Sequence, residues 1–176
     1  MGRLVFVDVE ARGSKAKPLV KQIAAIATDD QLDEVAGFEA KISKASDTSE
    51  AKKVARGFAN FLTRNATNER FNAKGELFRV AQLVAHNANF DIEILRNWYR
   101  KQSIFLPADY LPLCTMQHAM WFFQLRVLTP PKDFKLTTLC HRFGIEHSLS
   151  DAHDAFRDIR ATVLLCRAMR IRLFQR

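Results

Sequence analysis

The chain has 176 residues, 27 Lys and Arg against 19 Asp and Glu, 48% apolar residues and three cysteines. That length suits one domain, able to bury roughly 70% of its unfolded surface without disulfide or metal staples. No apolar run approaches the roughly 18 residues of a membrane span, Asp8 and Glu10 interrupt any N-terminal signal-like stretch, and an odd cysteine count without paired spacing points to a reducing, cytoplasmic setting. A formal charge of +8 and a pI near 9.7 suggest a polyanionic partner, nucleic acid before membrane, with simple solubility the equally weighted alternative.

Residues 4–9 (LVFVDV) form a continuous β-prone run, as expected of a central strand buried on both faces. Two more strand-like runs follow at 22–28 and 35–42, split by the polar turn Asp29-Asp30-Gln31. Residues 46–64 carry Val54, Phe58, Phe61 and Leu62 on one helical stripe, with Asp47, Thr48 and Ser49 as cap candidates. The polar stretch 65–76 reads as a long surface loop.

Strand character returns at 80–86 and leads into a helix at 88–101. A short strand at 110–114, a helix at 116–124, a Pro-Pro loop at 128–133 and helices at 135–143 and 151–171 complete the chain. Three strands followed by alternating strands and helices predict an α/β fold, a mixed central sheet flanked by helices. One domain spans 1–176, with its core at about 3–170 and a short basic C-terminal tail.

The informative feature is where four acids fall. Asp8 and Glu10 lie two apart on a strand, so they project together with Cα atoms roughly 6.6 Å apart. Two adjacent anions at the end of a buried strand are tolerable with a cation between them; exposure at the strand end is the plain alternative. Asp91 shares a helical stripe with Ile94, Leu95 and Trp98, while Glu93, Arg96 and Arg100 take the other face. Asp158 likewise falls in line with Thr162, Leu165 and Met169, with Arg157, Arg160 and Arg167 turned elsewhere. Acids sent inward need a partner or a metal, and hard oxygen donors suit Mg²⁺ or Mn²⁺.

His153 precedes Asp158 by five residues, roughly 140° around an ideal helix, so it belongs at or before the first turn. A neutral imidazole there can serve as general base near pH 7. Cys114 with His118, or Cys140 with His141, lacks the second pair a zinc site needs, and the cysteines read as small core residues.

FVDVEARG (6–13), HNANFD (86–91) and HDAFRD (153–158), in this order and preceded by LTTLCHRFGI (136–145), resemble the three motifs of the DEDDh, proofreading-type 3′→5′ exonucleases. The resemblance runs from residue 4 to about 168. It implies a ribonuclease-H-like fold and two-metal-ion hydrolysis of the terminal phosphodiester, with two Mg²⁺ for which Mn²⁺ can substitute. By the same resemblance Asp8 bridges both metals, Glu10 and Asp158 complete the first site, Asp91 holds the second through water, and His153 is the general base.

The family commonly has two threonines where this chain has Ala11 and Arg12, which removes a hydroxyl contact and leaves the backbone N–H groups. Arg12 grips a phosphate or lies on the surface. His86, Asn87 and Phe90, within the second motif, are the other substrate-binding candidates. Phe90 can stack on a base, but core packing is the favoured reading.

The implied activity is release of nucleoside 5′-monophosphates from single-stranded ends, DNA preferred to RNA on the resemblance alone. A same-fold exoribonuclease and a non-catalytic binding or proofreading-type subunit are the alternatives. A polymerase or other nucleic-acid-processing partner and a homodimer are left open, with Trp121, Phe122 and Phe123 as the candidate patch. Arginines from 157 onward form a strand-tracking stripe or a solvated helix face.

Overall fold

The computed structural model describes residues 2–43, 48–126, 128–147 and 154–174. The elements in order are β1 (Leu4–Ser14), β2 (Lys17–Thr28), β3 (Glu34–Lys41), α1 (Thr48–Arg64), β4 (Asn68–Phe71), β5 (Leu77–Val80) and β6 (Gln82–Ala85). Then come α2 (Ala88–Gln102), β7 (Leu113–Cys114), α3 (Thr115–Leu125), α4 (Leu136–Phe143) and α5 (Ala155–Phe174). Five strands form one sheet in the order β3-β2-β1-β6-β7. β1, β2 and β3 pair antiparallel, while β6 runs parallel to β1 and β7 parallel to β6. The expected mixed sheet flanked by helices is therefore present.

The two-residue pleat sorts the central strands between two cores. Val5, Val7 and Val9 of β1, with Ile23, Ala25 and Ala27 of β2, pack under α1 and α2, against residues such as Phe58, Leu62, Leu95 and Trp98. Phe6, Ala24, Ile26 and Val84 face the other way, onto Ile159 and Val163 of α5. Asp8 continues the Phe6 face, which sends it toward α5. A third cluster joins α3, α4 and α5 through Phe122, Phe123, Leu139, Phe143, Leu165 and Met169.

Several expectations are corrected. The stretch 65–76 is not all loop: β4 pairs with β5 in a separate hairpin. Its tip is closed by Asn72, whose side-chain oxygen accepts from the N–H groups of Lys74 and Glu76. Polar Asn-Glu-Arg-Phe carries no apolar alternation, so nothing in its pattern announced a strand. The single strand expected at 80–86 is two, divided at Ala81, which bridges to Ala108. β1 runs on to Ser14 because β2 begins at Lys17 and extends the hairpin, with a register shift between Glu10 and Ala11. The last strand is two residues long, since Tyr110 and Leu111 are exposed rather than paired. The last helix, expected to end at about 171, runs to Phe174. No described helix is long and apolar enough to cross a membrane.

Candidate active site

Three elements bring the acids together. Asp8 and Glu10 stand on β1 just before its register shift, and their side chains are half-buried. Asp91 enters in the first turn of α2, 4% exposed, in the stripe of buried Ile94, Leu95 and Trp98. Its Oδ1 accepts the Val9 N–H at 3.2 Å, which ties α2 to the strand that carries Asp8 and Glu10. Asp158 lies in the first turn of α5, in line with buried Thr162, Leu165 and Met169. The two inward-facing helical stripes expected from spacing are thus both present.

The electrostatics report a shared site. The Asp8 carboxyl is pushed well above the usual range, first by burial and then by the charges of Asp91, Asp158 and Glu10. Asp91 is raised to about 7 by burial, partly offset by hydrogen bonds from backbone N–H groups, with Glu10 adding repulsion. Asp8, His86 and Asp158 line a small cavity of about 120 Å³ together with Leu136 and Thr162. Among the described residues no three acidic, His or Cys side chains already converge at ligating distance. Uncompensated carboxylates repel, so a cation would have to draw these together. The donor set nevertheless fits a hard divalent ion: carboxylate oxygens from three elements, with Asp91 deeply buried and Asp8 facing the charges of the other three.

His86 does structural duty at this site. Its Nε2–H donates to the Phe134 carbonyl at 2.9 Å, and its Nδ1 lies 2.9 Å from the Thr115 hydroxyl. A carbonyl only accepts, so the proton sits on Nε2 and the Thr115 O–H donates to Nδ1. Burial lowers the imidazole's pKa, partly offset by the Phe134 contact. His86 thereby links the end of β6 to the start of α3 and to the approach to α4.

The other substrate candidates are spread over the rim. Asn87 is exposed and left-handed (φ 60°) at the N-cap of α2; Ala11 is half-buried and Arg12 exposed on the β1–β2 arm. Phe90 is 44% exposed, which overturns the core-packing expectation. It sits on the outer turn of α2, and Lys15 Nζ stands 5.3 Å from its ring centroid. Lys15 also pairs with Glu93 at 3.0 Å, and its carbonyl accepts from Asn97, so the arm is docked on α2. Lys15 was missed from sequence because hairpin docking on a helix is a tertiary fact. The position of His153 lies outside the described residues.

Two larger hollows flank this centre. One of about 640 Å³ is lined by His141, His147, Arg157 and Arg160 beside Asp158. The other, about 1140 Å³, opens between α3 and α5 over Leu4, Phe6 and Val84, includes Met120 and Trp121, and contains none of the four acids. Of the aromatic trio, Phe122 and Phe123 are buried and Trp121 is 65% exposed. The cysteines are free, Cys140 fully buried, and Cys166 is pushed up to about 12 by burial.

A model of the exonuclease family matches residues 5–166. The chain belongs to the exonuclease family. Similar solved structures include the zinc-bound complex of E. coli exonuclease I with single-stranded DNA (TM-score 0.74, 20% identity), covering 97% of this chain and 41% of that one. The E. coli exonuclease I complex with a dT13 oligonucleotide gives TM-score 0.71 at 20% identity, covering 99% and 43%. The exonuclease I/SSB-Ct complex gives 0.68 at 19%, covering 97% and 41%. The chain thus spans about two fifths of the length of those exonuclease I chains, and the likeness establishes the ribonuclease-H-like fold. No curated protein matches.

Proposed function

We propose that this chain is a metal-dependent 3′→5′ exonuclease that hydrolyses the terminal phosphodiester of single-stranded nucleic acid and releases nucleoside 5′-monophosphates. The observation that carries the reading is the meeting of the acids from three elements: Asp8 and Asp158 line one cavity, and Asp91 is bonded to the Val9 N–H between Asp8 and Glu10. A protein with no use for a cation gains nothing from four mutually repelling acids.

Asp8, Glu10 and Asp158 would hold one divalent ion, and Asp8 with Asp91 a second; Mg²⁺ is the natural choice, Mn²⁺ a substitute. When bound, such a pair lowers the pKa of water and stabilises charge on the attacking and leaving oxygens of an in-line displacement. The chain's own residues do the rest. The Val9 N–H holds Asp91 in register with β1. His153 is the general base of this reading. Asn87, Phe90 and the backbone N–H groups of Ala11 and Arg12 form the rim for the terminal nucleotide, with the exposed face of Phe90 available for stacking. His86 acts through Thr115 and Phe134 rather than by touching substrate.

DNA is the preferred substrate, in keeping with the exonuclease I complexes on single-stranded DNA. Arg157 and Arg160, in the cleft beside Asp158, supply basic groups along a strand's path. A cytoplasmic setting fits the cysteine usage. The exposed Trp121 marks where a processing partner such as a polymerase, or a second copy, would seat. Light scattering of the protein and of Trp121→Ala tests the second copy.

The deciding assay incubates end-labelled single-stranded DNA and RNA of equal sequence with Mg²⁺, Mn²⁺ or EDTA. A ladder shrinking from the 3′ end, lost in EDTA and in Asp8→Ala and His153→Ala, is expected, with DNA cut faster. Binding without cleavage under every metal condition would overturn the enzyme reading in favour of a non-catalytic module.

A further inference from the structure

Asp158 has a close neighbour that belongs to none of the three motifs. α4 ends at Gly144 in the left-handed region (φ 71°), and the Ile145 N–H returns to the Cys140 carbonyl, closing the helix. Ile145 then packs on the cluster of Phe122, Leu139 and Phe143. Anchored this way, the chain delivers His147 to α5, where its Nε2 stands 3.1 Å from Asp158 Oδ1. The His147 side chain is 4% exposed and that of Asp158 22%. A histidine three residues past a helix cap would ordinarily face water; this one is covered and lies against a carboxylate at ion-pair distance, without a formed hydrogen bond.

We propose that His147 is a positioning residue for Asp158: in the metal-loaded site its Nε2–H turns to donate to the neighbouring Oδ1 and so sets the direction in which the carboxylate faces the divalent cation. A carboxylate's terminal torsion is broad and two-fold, so an unguided Asp158 samples many orientations. One donor fixed on one oxygen selects among them, and such outer contacts typically govern metal affinity about 10- to 100-fold. Asp158 N–H and C=O are taken within the helix, with Thr162 Oγ1 donating to its carbonyl at 2.8 Å. The inference rests on the metal-dependent reading above and adds to it a residue outside the acid-and-base set.

The test measures Mn²⁺ binding to the full chain without nucleic acid, by the electron paramagnetic resonance signal of free Mn²⁺. It compares the unaltered protein with Asp158→Asn, His147→Ala, His147→Asn and His147→Gln, with the metal-free Tm of each recorded. We expect His147→Ala to bind roughly tenfold more weakly, and His147→Gln, whose amide nitrogen reaches as far as Nε2, to stay within about threefold of the original. His147→Asn, too short to reach, should resemble Ala. A merely structural role would lower Tm in all three His147 variants and leave metal affinity in the folded fraction unchanged. In the nuclease assay the Mn²⁺ concentration for half-maximal rate should rise in His147→Ala while KM for the oligonucleotide holds. Equal or tighter Mn²⁺ binding by His147→Ala overturns the inference and leaves the metal site standing. Equal binding by the unaltered protein and Asp158→Asn overturns the metal reading, and this inference with it.

Discussion

The two ends of α5 use the same residue types for opposite purposes. At the N-terminal end Asp154 caps the helix, its Oδ1 accepting from the N–H groups of Phe156 and Arg157. There Asp158 turns toward Asp8, and Arg157 and Arg160 line the neighbouring cleft. At the C-terminal end Arg167 donates to the Leu32 carbonyl at 2.6 Å and to Asp33 at 2.7 Å, and Arg170 donates to the Asp30 carbonyl at 2.5 Å. Arg172 lies 4.7 Å from the Phe143 ring centroid. These arginines staple the helix to the β2–β3 turn and to α4. A net charge of +8 is therefore not one reservoir for nucleic acid. Part of it is structural, and only position in the fold separates the two parts.

The comparison breaks most sharply at the acids. Asp158→Asn should lower nuclease activity by about 10³-fold or more, because it removes charge from a site that stabilises developing negative charge. It should leave the metal-free protein as stable as before or more so, since a repulsion with Asp8 is relieved. Activity and metal-free Tm on one preparation check both halves. A fall in Tm as large as that from losing an arginine staple would place Asp158 with the structural end.

Asp91 gives the next effect, with a sign fixed by linkage. Its folded pKa is raised from 3.8 to about 7, so between those values the native state holds the proton more tightly than the unfolded chain. Stability from this group is complete below about pH 4 and is lost as pH rises toward 7, amounting to about 4 kcal/mol at most. Asp91→Asn keeps an oxygen acceptor for the Val9 N–H and removes the charge. The metal-free Tm of this variant should therefore gain on that of the original protein progressively from pH 4 to 7. Thermal melts at four pH values measure the gap, and a pH-independent gap would contradict the assignment.

Much of the site was legible because its signals are local. Asp8 and Glu10 share a strand face by the pleat, and Asp91 and Asp158 share helical stripes with apolar residues, so each acid's inward aim follows from sequence spacing. The mixed sheet flanked by helices was implied by three strands followed by alternation, but not its strand order. What escaped depends on contacts distant in sequence. β4 carries no apolar alternation of its own; Asn68 and Arg70 instead bond to Asp109, some forty residues away in sequence. Phe90 shares no stripe with the buried face of α2, and its partner Lys15 arrives on the β1–β2 arm. That arm turns through Gly13 at φ 85°, where an added Cβ would meet the Lys17 carbonyl at 2.9 Å. His147 reads as an ordinary loop histidine until α4 and α5 are packed together.

The smallest expected effects separate the two arginine sets. Arg157→Ala with Arg160→Ala should weaken binding of single-stranded DNA by roughly 3- to 10-fold and reduce the slope of log affinity against log salt by about one to two. Tm should stay within about 1 °C, because exposed arginines contribute little to stability. Arg167→Ala should do the reverse. It removes a donor from the Leu32 carbonyl and a contact with Asp33, costing about 1–2 kcal/mol, or a Tm drop of roughly 2–8 °C in a chain of this size. The salt slope should not move. Since Leu32 is buried with Phe6 and Ile159 against the face that carries Asp8, loosening this turn tests whether the structural end also steadies the site. If nuclease activity at 25 °C is unchanged while Tm falls, the two ends of α5 are energetically separate. If activity falls in step with stability, the staple belongs to the active site's support as well.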